Sequence, residues 1–256
     1  MQTFDKYAEY YDLLYADKDY DAECEYIEKL TRLHGSRAQS FLDLGCGTGK
    51  HLTILARNAK TACGVDLSQT MIASARQNCP QLNFCCSDIA DYRDSKKYDV
   101  ITSLFHVASY QTGNDQLQRY FETAATHLAD NGVFIFDCWY GSGVLSDLPQ
   151  LRTKNIENER IVVKRVATPT MYPNENCVNV RYDIDIVEKT TGENHQLTEN
   201  HRMRYLFQPE LELFAELAGL KIVASYKWLT ETPPDLNTWY ACFVLKSISL
   251  PPCPNP

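Results

Sequence analysis

The sequence predicts an α/β fold: a doubly wound, mainly parallel sheet with helices on both faces, carrying a small antiparallel β insertion. Three observations lead there. Short apolar runs alternate with helix-length stretches over residues 38–137. Acids or glycines stand at the carboxyl ends of three successive runs. Beyond residue 150 the pattern changes to long period-two alternation, which suits antiparallel strands.

Residues 1–35 are expected to be helical and aromatic. Tyr7, Tyr11 and Tyr15 recur at i, i+4, with Tyr10 and Leu14 on an adjoining stripe, and six tyrosines fall within the first 26 residues. Such a stripe either packs on the core or lids a polar ligand, since a phenol joins an apolar body to a hydrogen-bonding tip. Ser40–Leu44 is a buried-strand run cut off by Gly45, and a helix follows from Lys50 to about Asn58. A second strand, Thr61–Asp66, ends on an acid. Ser68 is a good N-cap for a helix over Gln69–Asn78. Leu82–Cys86 and Tyr98–Leu104 are the third and fourth strands. A helix over Asp115–Leu128 is expected to stop at Asn131-Gly132, and Val133–Asp137 is the fifth strand. Strands alternating with helices of this length run parallel, joined by crossovers.

Within residues 151–207, Ile161–Val166 and Val178–Val187 alternate with period two and a turn stands at Thr191-Gly192. These predict an antiparallel meander. Pro209 opens a helix through Ala218, closed by Gly219. Leu220–Trp228 and Thr238–Leu245 are closing strands, and the Pro-rich tail 251–256 is expected to be disordered. With no repeat and no linker, residues 1–250 form a single domain.

Composition narrows the function. The 256 residues are 44% hydrophobic and 23% charged, ordinary for a soluble protein, and the net charge is −8 with Lys and Arg scattered. A basic face, which supplies most nucleic-acid affinity, is not evident, so no nucleic acid is expected as partner. Met1–Tyr20 has no apolar run of signal-peptide type, and no stretch approaches the roughly 20 apolar residues of a membrane span. A cytoplasmic protein without membrane contact is expected. Ten cysteines occur without C-x-x-C, and they are expected to be reduced, small buried hydrophobes. No metal is expected, for want of carboxylates at ligand-like spacing.

Asp43-Leu44-Gly45-Cys46-Gly47-Thr48-Gly49 follows a strand and precedes a helix. Its alternate glycines permit a tight turn and close backbone approach to a ligand. A dinucleotide fingerprint would need a third glycine where Lys50 stands, and a pyrophosphate prefers a helix N-terminus without an acid before it. An acid there suits a ligand carrying positive charge and an amino group. Asp66, 17 residues beyond Gly49, can accept both hydroxyls of a ribose, and Asp88, after the third strand, can meet an adenine amino group. Ligands of open α/β sheets bind at those strand ends.

Asp43 to Gly49, Asp66, Asp88 and the order of elements resemble the class I S-adenosylmethionine-dependent methyltransferases. The resemblance covers residues 38–137 and 209–246 and implies a Rossmann-like sheet of seven strands, the last antiparallel. It implies that Gly45, Gly47 and Gly49 approach the methionyl part of S-adenosyl-L-methionine and that Asp66 holds the ribose. Leu67 and Met71 would pack near the adenine, and Asp88 with Ile89 would bind its edge. Leu104, Phe105 and His106 match the stretch bordering the sulfonium and the acceptor.

A narrower resemblance links Tyr7-Ala8-Glu9-Tyr10-Tyr11-Asp12 and His201-Arg202-Met203-Arg204-Tyr205 to bacterial small-molecule N-methyltransferases that dimethylate nucleotide-linked amino sugars. It implies an N-terminal lid over 1–35 with Tyr7 at the cofactor and Tyr11 at the reaction, and an insertion, 151–207, forming the acceptor pocket. The chain departs from that group at His106 and Tyr110 and at Asp137-Cys138-Trp139-Tyr140. An amine must lose a proton before attack; His106 and Tyr11 are the candidates, with His201 more distant. Phe105, Tyr110, Trp139, Tyr140, His201 and Arg204 are candidate acceptor contacts. His201 and Arg204 lie in one alternating segment, so both are expected at the pocket or both at solvent.

The leading expectation is methyl transfer to an amine of a small molecule by a monomer or homodimer, releasing S-adenosyl-L-homocysteine. O-methylation of a small metabolite and a non-catalytic methyltransferase-like binding module are the alternatives. A nucleic-acid base methyltransferase would carry an Asn/Asp-Pro-Pro-Tyr type sequence where this chain has Ser103-Leu104-Phe105-His106.

Overall fold

In the computed structural model, residues 13–15, 17–35 and 38–248 are described. The chain enters through helix α1 (Tyr20–Leu33), whose N-cap Asp19 accepts from the Ala22 N–H. Strands β1 (Ser40–Leu44), β2 (Thr61–Asp66), β3 (Asn83–Cys86), β4 (Tyr98–Ser103) and β5 (Leu128–Trp139) pair in parallel. Between them run helices α2 (Lys50–Leu55), α3 (Gln69–Asn78) and α4 (Asn114–His127). A short helix α5 (Gly141–Ser146) leads into a second sheet of four antiparallel strands: β6 (Arg152–Glu157), β7 (Ile161–Tyr172), β8 (Cys177–Glu188) and β9 (Asn194–Arg204). Helix α6 (Gln208–Leu217) then returns the chain to β10 (Leu220–Lys227) and β11 (Tyr240–Ser247).

The large sheet has the order β10-β11-β5-β4-β1-β2-β3, with β11 antiparallel to both neighbours. Its central strands are apolar on both faces, and each face has its own core. Leu117, Tyr120, Phe121 and Ala124 of α4 pack on one, Ile27 and Leu30 of α1 on the other. After β1 the chain winds outward to β3, then crosses back to β4 on the other side of β1. That reversal opens a crevice at the carboxyl ends of the strands, between β1 and β4.

Several elements differ from expectation for visible reasons. Helix α4 stops at His127, and β5 begins at once, because Leu128 is buried and pairs with Tyr98. Gly132 therefore sits inside a strand. A Cβ there would stand 3.0 Å from the Tyr98 and Asp99 carbonyl oxygens, so the glycine serves close backbone packing and not a helix stop. Helix α2 ends at Leu55, where the Ala56 N–H turns back to the Leu52 carbonyl. Seven of the nine described cysteines are buried and all nine are free, but Cys86 is exposed beside the loop after β2. Among the described residues no helix is long and apolar enough to cross a membrane.

The insertion uses its period two. Val163, Ile184 and Ile186 face one way and enclose Leu14, just ahead of α1. Lys154 donates to the Leu14 carbonyl at 2.5 Å and pairs with Asp17. The N-terminal approach is thus fastened to the insertion sheet.

Helix α5 is wedged against the loop before β11. A Cβ on Gly143 would stand 2.1 Å from the Thr238 carbonyl oxygen. Gly143→Ala should therefore lower stability by about 1–3 kcal/mol through overpacking. Urea denaturation of the variant checks this, and an unchanged midpoint would mean that the loop moves freely.

Candidate active site

The carboxyl ends of β1 to β4 meet around a cavity of about 510 Å³, well within the range of small-molecule sites. Its floor begins at the glycine turn. Gly45 and Cys46 both donate to the Val65 carbonyl, at 2.7 and 3.0 Å, which draws the turn against the end of β2. Gly45 has φ +83°, and a Cβ there would lie 2.5 Å from a Val107 methyl, so both backbone and space require glycine. Gly47 lines the cavity with no atom within 4 Å of where a Cβ would stand. Asp66 accepts from the Gly47 N–H and the Ser68 N–H, each at 2.8 Å. Asp88 anchors its own loop through the Ala90 N–H. Leu67 stays 71% exposed at the rim, and Met71, Ile89 and Leu104 complete an apolar side.

The roof comes from three places. Phe105 and His106 follow β4 with φ +66° and +65°, two successive left-handed residues with side chains, a conformation that needs support from elsewhere. Asp137, fully buried at the end of β5, gives that support. Its carboxylate accepts from the His106 backbone N–H at 3.1 Å and lies 2.5 Å from the imidazole Nδ1. Tyr240 of β11 stacks on the imidazole at 4.5 Å. A 3₁₀ turn, Val107–Tyr110, continues the wall. From β8 and β9 come Tyr182, His201 and Met203, and from the N-terminal approach comes Tyr15, edge-on to Phe105 at 4.9 Å. Arg165 of β7 stacks over Tyr182 and donates to the Tyr15 hydroxyl.

Gly45, Gly47, Asp66, Leu67, Met71, Asp88, Ile89, Leu104, Phe105, His106, Tyr110, Trp139 and His201 all line this cavity. Other expected residues do not. Asp43 is buried behind the glycine turn, where it accepts from Thr102 at 2.7 Å. Gly49 is set back as the left-handed N-cap of α2. Tyr140 packs into the core near Phe243, since β5 has ended and the backbone turns into α5. Arg204 faces away, bonded to Glu210 at 2.6 Å and Asn114 at 2.8 Å. His201 and Arg204 are three apart in a strand and so take opposite faces, which corrects the expectation that they share a side. Tyr7 and Tyr11 lie outside the described residues. Sequence reasoning missed Tyr15 as a wall residue, along with Tyr182, Gln111 and Gln116.

Residues 41–132 match the family model for a methyltransferase domain. Over 218 residues the chain is 27% identical to the dTDP-3-amino-3,4,6-trideoxy-alpha-D-glucopyranose N,N-dimethyltransferase of Streptomyces venezuelae, covering 84% of this chain and 90% of that one. It is 28% identical over 217 residues to the dTDP-3-amino-3,6-dideoxy-alpha-D-glucopyranose N,N-dimethyltransferase of Streptomyces fradiae, covering 84% of each. Residues 41–132 are a methyltransferase domain. The crystal structure of Streptomyces venezuelae DesVI shares the fold of this chain, with a TM-score of 0.81 at 23% identity over 94% of this chain and 98% of that one.

Two acids of the methyltransferase floor are shifted upward. Burial lifts the Asp43 carboxyl to about 6, against the pull of His51 and the Thr102 hydrogen bond. Burial also raises Asp66, opposed by the N–H groups of Ser68 and Gly47. For Asp43 the folded state still holds a proton, between pH 3.8 and about 6, that the unfolded chain has released. Its contribution is therefore full below that window and is lost as pH rises through it. Asp43→Asn does not titrate, so across that window the variant should gain roughly 2–3 kcal/mol on the wild type. Denaturation at stepped pH measures this, and a constant difference would show that Asp43 does not titrate there.

Proposed function

We propose that this enzyme methylates the amine nitrogen of a small molecule, with a nucleotide-linked amino sugar as the acceptor class. The observation that carries the reading is the continuity of one cavity. A floor of glycine backbone and strand-end acids passes directly into an aromatic roof built from the loop after β4, the end of β5, the N-terminal approach and the insertion. The relatives that match most of this chain bear the names of dTDP-amino-sugar N,N-dimethyltransferases, which supports the acceptor class.

The floor suits the cofactor. Gly47 leaves room beside the backbone for its methionyl part, and Gly45 lets the turn close against Val107. Asp66 keeps lone pairs for the ribose hydroxyls while two backbone N–H groups hold it in place. Leu67, Met71 and Ile89 offer apolar contact to the adenine, and Asp88 accepts at its edge. Leu104 and Phe105 border the sulfonium. Asp43 acts from behind the turn by shaping it. When bound, the cofactor supplies a methyl group on a positively charged sulfur.

The chain's own residues align the acceptor and exclude water. Tyr15, Trp139 and Tyr182 present flat faces and polar tips to a sugar. His106, held by Asp137, fixes the turn that carries Phe105. Tyr7 and Tyr11 retain the lid role that resemblance gives them. A net charge of −8 sets nucleic acid aside as acceptor. The enzyme works in the cytoplasm, where its free thiols stay reduced, as a monomer or homodimer.

Isothermal titration with S-adenosyl-L-homocysteine should give binding that NAD does not. Asp66→Ala should weaken it by about 10- to 100-fold, because the ribose loses its partner and the Gly47 turn loses its tie. Mass spectrometry after incubation with S-adenosyl-L-methionine and a dTDP-linked 3-amino sugar should show gain of one or two methyl groups. Binding without methyl gain on any amine would move the acceptor to a hydroxyl.

A further inference from the structure

Tyr110 and His201 of the cavity wall form a hydrogen-bonded series with Glu199. The Tyr110 hydroxyl lies 2.8 Å from His201 Nδ1, and His201 Nε2 lies 3.0 Å from Glu199 Oε2. Glu199 and His201 are two apart in β9 and so share a face, and Tyr182 stands edge-on to the imidazole at 4.9 Å. The chemistry of the partners sets the tautomer. A carboxylate only accepts, so Nε2 carries the hydrogen, and Nδ1 accepts from the phenol. The phenol has then spent its hydrogen, and its oxygen lone pairs are left for a donor in the cavity.

We infer that Tyr110 is the catalytic group that takes the acceptor's proton, with His201 and Glu199 as positioning residues that carry it away. The inference rests on the amine reading above. The acceptor N–H bond breaks as its proton passes to the Tyr110 oxygen, and the nitrogen keeps the electron pair that forms the new C–N bond. At the same time the Tyr110 hydrogen passes to His201 Nδ1. The imidazolium so formed is paired with the Glu199 carboxylate, and loss of one proton to solvent restores the series. No phenolate forms: Tyr110 is 44% exposed as a residue, but desolvation of its hydroxyl within the cavity and the neighbouring Tyr182 and Tyr15 push the phenol upward.

His106 is placed differently. Its backbone N–H is bonded to Asp137, its Nδ1 lies against that carboxylate and one ring face is covered by Tyr240, so it positions its own turn. The other groups facing Tyr110 are the phenols of Tyr15 and Tyr182, the Asp66 carboxylate and Glu199, with Arg165 over Tyr182 at 4.7 Å. Arg202 and Arg204 are engaged elsewhere, with Glu175 and Glu210.

The test has two readouts. In steady-state assays with S-adenosyl-L-methionine and a dTDP-linked 3-amino sugar, Tyr110→Phe should lower kcat on the order of 100-fold at neutral pH. The acceptor KM and the affinity for S-adenosyl-L-homocysteine should stay within about threefold, because the phenyl ring still fills its place. The deficit should shrink as pH rises and the free amine forms without help. Glu199→Gln should show a smaller loss of the same shape. Wild-type kcat and pH profile in Tyr110→Phe would overturn the proposal. Independently of turnover, ¹⁵N NMR of histidine-labelled protein, with His201 assigned by its loss in His201→Asn, should show the Nε2–H tautomer. Glu199→Gln and Tyr110→Phe should each alter that signature, and indifference to both would overturn the relay in an active enzyme. A wild type that methylates no amino sugar would overturn the acceptor reading, and the NMR result would still decide the relay.

Discussion

The carboxylate of Asp66 joins two loops that would otherwise be independent, and the shape of the floor depends on that tie. One oxygen takes the Gly47 N–H and the other the Ser68 N–H. The carbonyl just before it, on Val65, takes Gly45 and Cys46. The glycine turn after β1 is therefore positioned by the end of β2 and not by its own sequence alone. Burial of the acid is unfavourable to its charge, and the two N–H groups offset that. The result is a floor whose donors and acceptors are set before any ligand arrives, the condition under which binding groups act without reorganisation.

The roof follows a different logic. Two consecutive left-handed residues, Phe105 and His106, would unwind without a partner, and the buried Asp137 is that partner. The neighbouring β11 adds Tyr240, which stands opposite Trp139 in the register and covers the imidazole. Beyond this rigid portion the wall is carried by the insertion and by Tyr15. Those parts meet each other through a small cluster around Leu14 and the Lys154 bond to the Leu14 carbonyl, and the insertion meets the main body through a second small cluster of Val144, Val178, Val180 and Tyr205. Separating them exposes far less apolar surface than opening the large sheet. Any admission of an acceptor is therefore cheapest on that side.

Legibility in the sequence divides along the same line. Gly45, Gly47, Asp66, Asp88 and Phe105 were readable because parallel strands all end on one side, so residues just after each apolar run must converge. Tyr182 gave no such sign. It reaches the cavity because antiparallel register sets it opposite Glu199, and register cannot be counted from alternation alone. The expectation that Arg204 shares a side with His201 fails for a different reason: parity within one strand needs no register, and it separates them. Tyr240 and Trp139 come together only through the order of strands at the sheet edge, a long-range fact. Asp43 misled for another reason. Its place in the motif suggested contact with a ligand, but the last residues of β1 are wholly buried, and its partner is Thr102 on the adjacent strand.

These two halves of the cavity answer to different constraints. Substitution on the floor acts on backbone geometry, where a single Cβ at Gly45 meets Val107 and the turn cannot yield. Substitution on the roof acts on side chains that extend from strand faces, where the backbone ladder is indifferent to what projects from it. Residues 199, 201 and 203 can change without disturbing the pairing of β8 with β9. A fold built this way can keep one cofactor while its acceptor changes by point substitution on alternate positions of β8 and β9. The physical reason is that a ladder of main-chain hydrogen bonds fixes the spacing of the side chains but not their chemistry.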